Sequence, residues 1–251
     1  MTGLEQVAVF AAGMAAGAVN AVVGSGTLIT FPVLLAVGYS PVVANVSNTV
    51  GLAPGSASAA YGYRRELSGQ RARLVRLGTA SLVGGITGAV LLLVLPAGAF
   101  KAIVPVLIAL ACVLVMIQPA LTRRLRRLSG QPPAHGGPWL LAGVYGAGIY
   151  GGYFGAAQGV LLIAILSLAL HEDLQRINAA KNVLAGLVNL VAAVVFIVSA
   201  DVDWRPALLI ALGSVLGGQI GAKVGRRLPA AVLRGFIVVV GLAAMVKLLG
   251  D

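Results

Sequence analysis

Charge is scarce in this 251-residue chain, and negative charge scarcer still. Charged residues make up 10% of it, with 7 Asp and Glu against 18 Lys and Arg. From Gln6 to Tyr63 there is no Asp, Glu, Lys or Arg at all. A stretch of that length far exceeds the ~20 apolar residues one spanning helix needs, so it holds several segments. Cysteine is present once, as Cys112 inside an apolar run, which excludes an intrachain disulfide framework and a thiolate metal site. The two histidines, His135 among prolines and His171 in a His-Glu-Asp run, lie too far apart in topology to form a metal centre. No group of His, Asp, Glu or Cys sits within the apolar segments, so neither a membrane-embedded enzyme nor a bound cofactor is expected. Apolar runs are continuous rather than alternating, which argues against a β-barrel. The first residues lack a basic region before the apolar stretch, so no cleaved signal peptide is expected.

What is abundant points the same way. Hydrophobic residues are 59% of the chain and the mean hydropathy is +0.98, so the expected class is an all-α integral membrane protein whose surroundings are the lipid bilayer. The formal charge of +11 would suggest nucleic acid in a soluble protein. Here the arginines fall in short loops between apolar runs, where they set topology, and no nucleic-acid partner is expected. The excess of Arg over Lys, with abundant Ala and Gly, points to a GC-rich bacterial genome, and the expected location is the bacterial cytoplasmic membrane. Gly146-Ala-Gly148-Ile-Tyr-Gly151 has the spacing of a dinucleotide fingerprint, but no strand precedes it, so that reading is set aside.

The chain repeats itself. Residues 81–96 and 214–229 share seven of sixteen positions at an offset of 133, among them Gly84 with Gly217, Gly88 with Gly221 and Pro96 with Pro229. The same offset carries Gly13 onto Gly146, Gly26 onto Gly159 and Asn45 onto Asn178. Apolar segments fall at about 5–23, 27–37, 41–62, 77–95 and 99–120, with counterparts at about 139–157, 160–170, 174–199, 206–224 and 231–249. Segments 27–37 and 160–170 are too short to cross a hydrocarbon core. Breaks at Gly24-Ser25-Gly26 and Ala157-Gln158-Gly159 separate each from the segment before it. The expected organisation is a first repeat at 1–121, an Arg-rich cytoplasmic linker at 122–138 and a second repeat at 139–251. Gly13-x-x-x-Gly17, Gly84-x-x-x-Gly88 and Gly217-x-x-x-Gly221 read as internal helix contacts, while a homodimer stays open.

Loop charge orients the two repeats. The loop 64–76 carries Arg64, Arg65, Arg71, Arg73 and Arg76, whereas its counterpart is the acidic, aromatic Asp201-Val-Asp203-Trp204-Arg205. Uncharged Pro96-Ala-Gly-Ala corresponds to basic Arg226-Arg227-Leu-Pro229. The asymmetry reverses, so the repeats are expected to be inverted, each with five segments: about eight full spans plus two half-helices. Both termini then face outward.

Candidate binding residues follow. Lys181 is an isolated charge in an apolar helix, and no carboxylate lies in a segment interior to pair with it. A lysine there costs about 2.5–3.5 kcal/mol on insertion scales, so it calls for a polar cavity or partner. A cation without a fixed counter-charge suits an anionic substrate; the alternative is that Lys181 snorkels to the cytoplasmic surface. Asn45, Asn48 and Thr49 match Asn178, Lys181 and Asn182 at the repeat offset, either as ligands approaching the midplane or as interhelical hydrogen bonds. At the breaks, the first N–H groups of the short helices would form anion-binding termini, with Ser25, Thr27 and Gln158 adding side-chain donors. His171-Glu172-Asp173 would cap a helix at the cytoplasmic interface.

These residues resemble the TauE/SafE, or sulfite exporter, family of membrane transporters over essentially the whole length. The carriers are Gly24-Ser25-Gly26 with Pro32, the cluster Ala44-Asn45 to Ser47-Asn48-Thr49, and Arg176-Ile-Asn178-Ala-Ala-Lys181-Asn182. The Asp203-Trp204 turn and Gly217-Gly-Gln-Ile-Gly221 complete the pattern. The resemblance implies movement of small sulfur-containing anions such as sulfite, sulfonates or related organic acids. Small carboxylates as substrate, or a non-transporting assembly or maturation factor, are the alternatives.

Overall fold

A chain that places its backbone in lipid must satisfy every N–H and C=O within the segment, and this one does so with helices. The computed structural model describes residues 1–128 and 137–224, together with 235, 237–242 and 245. No strand occurs among these residues. In order the helices are α1 (Gly3–Val22), α2 (Thr27–Ala36), α3 (Pro41–Gly62), α4 (Arg71–Val94) and α5 (Ala97–Leu128), then α6 (Pro138–Tyr153), α7 (Gln158–Ala169), α8 (Leu174–Ser199) and α9 (Trp204–Lys223). Most of the tenth expected segment, 231–249, lies outside the described residues. Five of the described helices are long and apolar enough to cross a membrane: α1, α4, α5, α8 and α9. With 16 residues α6 is short, and α3 carries Asn45, Ser47, Asn48, Thr49, Ser56 and Ser58 along its length.

Local chemistry fixes the ends. Thr2 and Glu5 form a reciprocal capping box at the start of α1. α1 stops where Gly24 takes φ +86° and its N–H bonds Val19 O, a backbone state that glycine adopts without strain. α4 begins at Arg71, six residues before the expected start, so Arg71, Arg73 and Arg76 lie on its first turns rather than in a loop. Likewise α5 continues to Leu128, taking in the first part of the Arg-rich stretch expected as linker.

The long helices are held by close backbone approach. α1 packs on α9 and α6 on α4; α3 meets α9, and α8 meets α4; α3 and α8 meet each other. At the repeat offset each of the first two pairs maps onto the other. A Cβ on Gly13 would lie 2.8 Å from Ile210 Cα, and one on Gly148 2.9 Å from Ser81 O. Gly17 faces Ser214, Gly217 faces Met14 and Gly88 faces Ile149 in the same way. The three small-residue motifs are thus internal seams, as expected. The side chains turned outward from these seams are large and apolar, including Val90, Leu91, Leu212 and Leu216.

Candidate functional site

The two short helices start beside each other at the centre of this framework. Gly159 N–H donates to Gly24 O at 3.0 Å, joining the first break to the start of α7. The second break is not where the sequence suggested. It comprises Phe154 to Ala157, with Gly155 at φ +76° and Ala157 at φ +63°, while Gln158 and Gly159 already belong to α7. Glycine at 159 answers crowding instead: a Cβ there would lie 2.5 Å from Gly24 Cα and 2.8 Å from Lys181 Cδ. In the first break Gly24 makes the turn, Ser25 is buried, and Gly26 is the N-cap of α2 in ordinary helical geometry.

Lys181 is completely buried, which removes the snorkelling alternative. Its Nζ donates to Asn20 O at 2.7 Å and to Ala21 O at 3.4 Å, the last carbonyls of α1. Asn178 Nδ2 and Asn182 Nδ2 donate to the same Ala21 O, at 2.9 and 3.2 Å. One face of α8 therefore caps the carbonyl end of the interrupted helix, where the dipole is negative and acceptors lack helical donors. No carboxylate pairs with Lys181 among the described residues.

Beside this contact lies a cavity of about 20 Å³, counted as the space open to the centre of a water molecule. One water needs roughly 10–15 Å³ on that measure, so the cavity has room for little more than water. Lys181, Asn182 and Gln158 line it, with the backbone of Gly24 and Gly159. Gln158 Nε2 is buried without a hydrogen-bond partner. Three polar lining residues escaped the sequence reading: Asn20, Ser56 and Asn189. Ser56 and Asn189 are equivalent at the offset of 133, and they touch: Asn189 Nδ2 donates to Ser56 Oγ at 2.9 Å. The signal was available in the repeat, because a polar pair at equivalent positions marks where the two halves meet.

The first-half cluster goes elsewhere. Asn45 Nδ2 donates to Tyr153 O at 3.0 Å, Asn48 is held between Thr27 and Thr30, and Thr49 Oγ1 donates to Asn45 O at 2.9 Å. None of the three lines the cavity. Asn45 does for the end of α6 what Asn178 does for the end of α1. Around that end of α6, Phe31, Phe100, Tyr153 and Phe154 pack edge to face. Ser25 Oγ and Asn178 Oδ1 are buried without hydrogen-bond partners, yet neither residue lines the cavity. The backbone cradle is also largely engaged. Gly26 N–H goes to Asn20 Oδ1 at 2.8 Å and Gly159 N–H to Gly24 O, leaving side chains rather than helix termini to face the cavity.

Two polar clasps close the opposite ends of α8. At its start, Glu172 accepts from Arg73 at 3.0 Å and Arg176 at 2.6 Å, while Arg176 also reaches Ser68 O at 3.1 Å. Burial pushes the Glu172 carboxyl up, but the two guanidinium bonds outweigh it and hold the group below its ordinary range. Just past the other end, Tyr39 bonds the Asp203 carboxylate, and Asp203 N–H donates to Ser47 Oγ at 3.0 Å. Burial and that bond push the Tyr39 phenol up to about 12. Tyr39 and Glu172 are equivalent at the repeat offset. His171-Glu172-Asp173 thus acts through Glu172 as an arginine clasp, and the side chain of Asp173 makes no cap bond.

A family model described as sulfite exporter TauE/SafE matches residues 9–248. The chain is 29% identical over 248 residues to the probable membrane transporter protein YfcA of Escherichia coli K12, covering 96% of this chain and 88% of that one. It is 29% identical to the probable membrane transporter protein ORF9 of a Sinorhizobium species, covering 96% and 91%. A probable membrane transporter protein of Haemophilus influenzae is 25% identical over 255 residues, covering 99% and 96%. No solved structure matches this chain.

Proposed function

The chain belongs to the sulfite exporter TauE/SafE family of membrane transporters, and from that premise we propose that it carries a small sulfur oxyanion or organosulfonate by alternating access. The observation that carries the reading is a buried lysine, Lys181, with no carboxylate partner among the described residues, facing a polar cavity where two interrupted helices meet. Lys181 attracts the anion, while Gln158, Asn182 and Asn189 bond its oxygens. Asn178 orients the site from behind, through Ala21 O. Asn45, Asn48, Thr49 and Ser25 act by fixing the framework around it.

On this reading the two halves are inverted repeats that rock against one another about the Ser56–Asn189 contact. The reciprocal pairing of α1 with α9 and α6 with α4, together with the reversed loop charges, supports that arrangement. The small cavity corresponds to an empty step of the cycle, with both clasps made. The arginine-rich end faces the cytoplasm of a bacterial cell, and both termini face outward.

Purified protein in liposomes tests this. Saturable flux of hydrogensulfite or an alkylsulfonate, exceeding that of small carboxylates, is the expected result. Flux of carboxylates alone would replace the substrate class, and no flux of any anion would remove the transport assignment in favour of an assembly role.

A further inference from the structure

Lys181 is already engaged before any anion arrives. Its two acceptors, Asn20 O and Ala21 O, use two N–H bonds. A neutral amine has two, and an ammonium has three. The third N–H, the one able to bond an anion in the cavity, exists only when the nitrogen carries a proton. We propose that Lys181 couples transport to protons: one anion and one proton enter the cavity together, Lys181 holds the proton as ammonium against the anion, and both leave together on the other side. This rests on the anion-transport reading above.

The surroundings of the cavity leave that task to Lys181. Among titratable and charged groups on the helices packed against α8, α1 offers Glu5 at its far end, and α3 offers Tyr61 with Tyr63 at its C-cap. α4 offers Arg71, Arg73 and Arg76 on its first turns; α6 offers Tyr145, Tyr150 and Tyr153; α7 has none. On α8 itself Arg176 is bound to Glu172. None of these lines the cavity, so Lys181 is its sole titratable group among the described residues. No fixed carboxylate stands ready to neutralise an ammonium there. The site is then electrically neutral in both half-cycles: amine when empty, ammonium with a monovalent anion when loaded. Neutrality in both states lets the occluded protein turn over without carrying net charge through lipid, whereas a divalent anion would leave an excess negative charge inside. The site therefore selects monovalent oxyanions such as sulfonates over sulfate.

Calorimetry on the purified full-length protein tests this with methanesulfonate, which stays fully ionised between about pH 6 and 9. Titrations in two buffers of different ionisation enthalpy count the protons bound with the anion. The expected result is uptake of one proton per anion on the alkaline side, with Kd rising by about tenfold per pH unit there. Sulfate is expected to bind more weakly. Lys181→Arg, charged at every pH, is expected to bind methanesulfonate with no proton uptake and a flat pH profile. Binding by the native protein without proton uptake overturns the coupling and leaves anion transport standing. Absence of binding and flux for every anion overturns both. The proton count on native protein decides the matter even where Lys181→Arg does not fold.

Discussion

Replacing Lys181 with methionine separates its two roles, capping and binding. Methionine keeps a similar unbranched length and removes the charge and all donors. On the stability side, Asn20 O loses a donor at 2.7 Å, and an unsatisfied buried carbonyl costs about 1–3 kcal/mol. Ala21 O keeps its bonds from Asn178 and Asn182, so it adds little. Against that, removing a buried lysine nitrogen without a carboxylate partner among the described residues offsets part of the loss, because replacing buried polar or charged groups with apolar ones is often neutral or stabilising. The net change in folding stability should stay within about 2 kcal/mol of zero. On the binding side, a hydrogen bond to a charged group contributes about 1.5–3 kcal/mol. Its loss weakens binding of a monovalent sulfonate by roughly 10- to 150-fold. Thermal unfolding and size-exclusion profile report the first quantity, and calorimetric Kd with liposome flux reports the second. A folded Lys181→Met protein that binds and transports like the native one would refute the assignment. So would a variant that fails to fold while the native protein gains no stability from any anion, because Lys181 would then be a helix cap and nothing more.

Two further outcomes test the framework. Gly88→Val places a branched side chain against Ile149 at the α4–α6 seam, and overpacking of this kind should destabilise by about 1–3 kcal/mol or more, read as a lowered unfolding midpoint. Glu172→Gln removes the carboxylate that holds Arg73 and Arg176. Because the folded Glu172 carboxyl titrates below its ordinary value of 4.5, its stabilisation is complete above that pH and fades as the pH falls through the folded value. The gap in melting temperature between native and Glu172→Gln protein should therefore be open at neutral pH and close in acid. A pH-independent gap would show that the carboxylate charge contributes nothing.

The membrane class, the helix positions and the seams were legible because they follow from local rules. A long uncharged run must span, a short one cannot, and a glycine at every fourth position leaves a groove that another backbone can fill. The isolation of Lys181 was equally plain, since one ammonium among apolar neighbours stands out in any composition. Glycine as a marker of breaks succeeded at Gly24 and failed at Gly159. The first needs a left-handed turn and the second needs only room for Gly24 and Lys181. Ala157, an ordinary helix former, takes the left-handed turn instead, held where α6 and α7 join.

Partner choice was beyond the reach of pattern. Asn45 and Asn178 are equivalent in sequence and each caps the end of a broken helix, yet one end borders a polar cavity and the other is sealed by Phe31, Phe100 and Phe154. Asn20, Ser56 and Asn189 are far apart along the chain and meet only because α1, α3 and α8 converge. By itself the sequence determined that the chain is helical, lies in a membrane, repeats a set of glycine and asparagine positions at a constant offset and carries one isolated lysine. Tertiary structure decided which carbonyls that lysine caps and which side chains share its cavity. The physical reason is range: periodicity and hydropathy act along one segment, whereas a donor is assigned to an acceptor only by the crossing of helices that are distant in sequence.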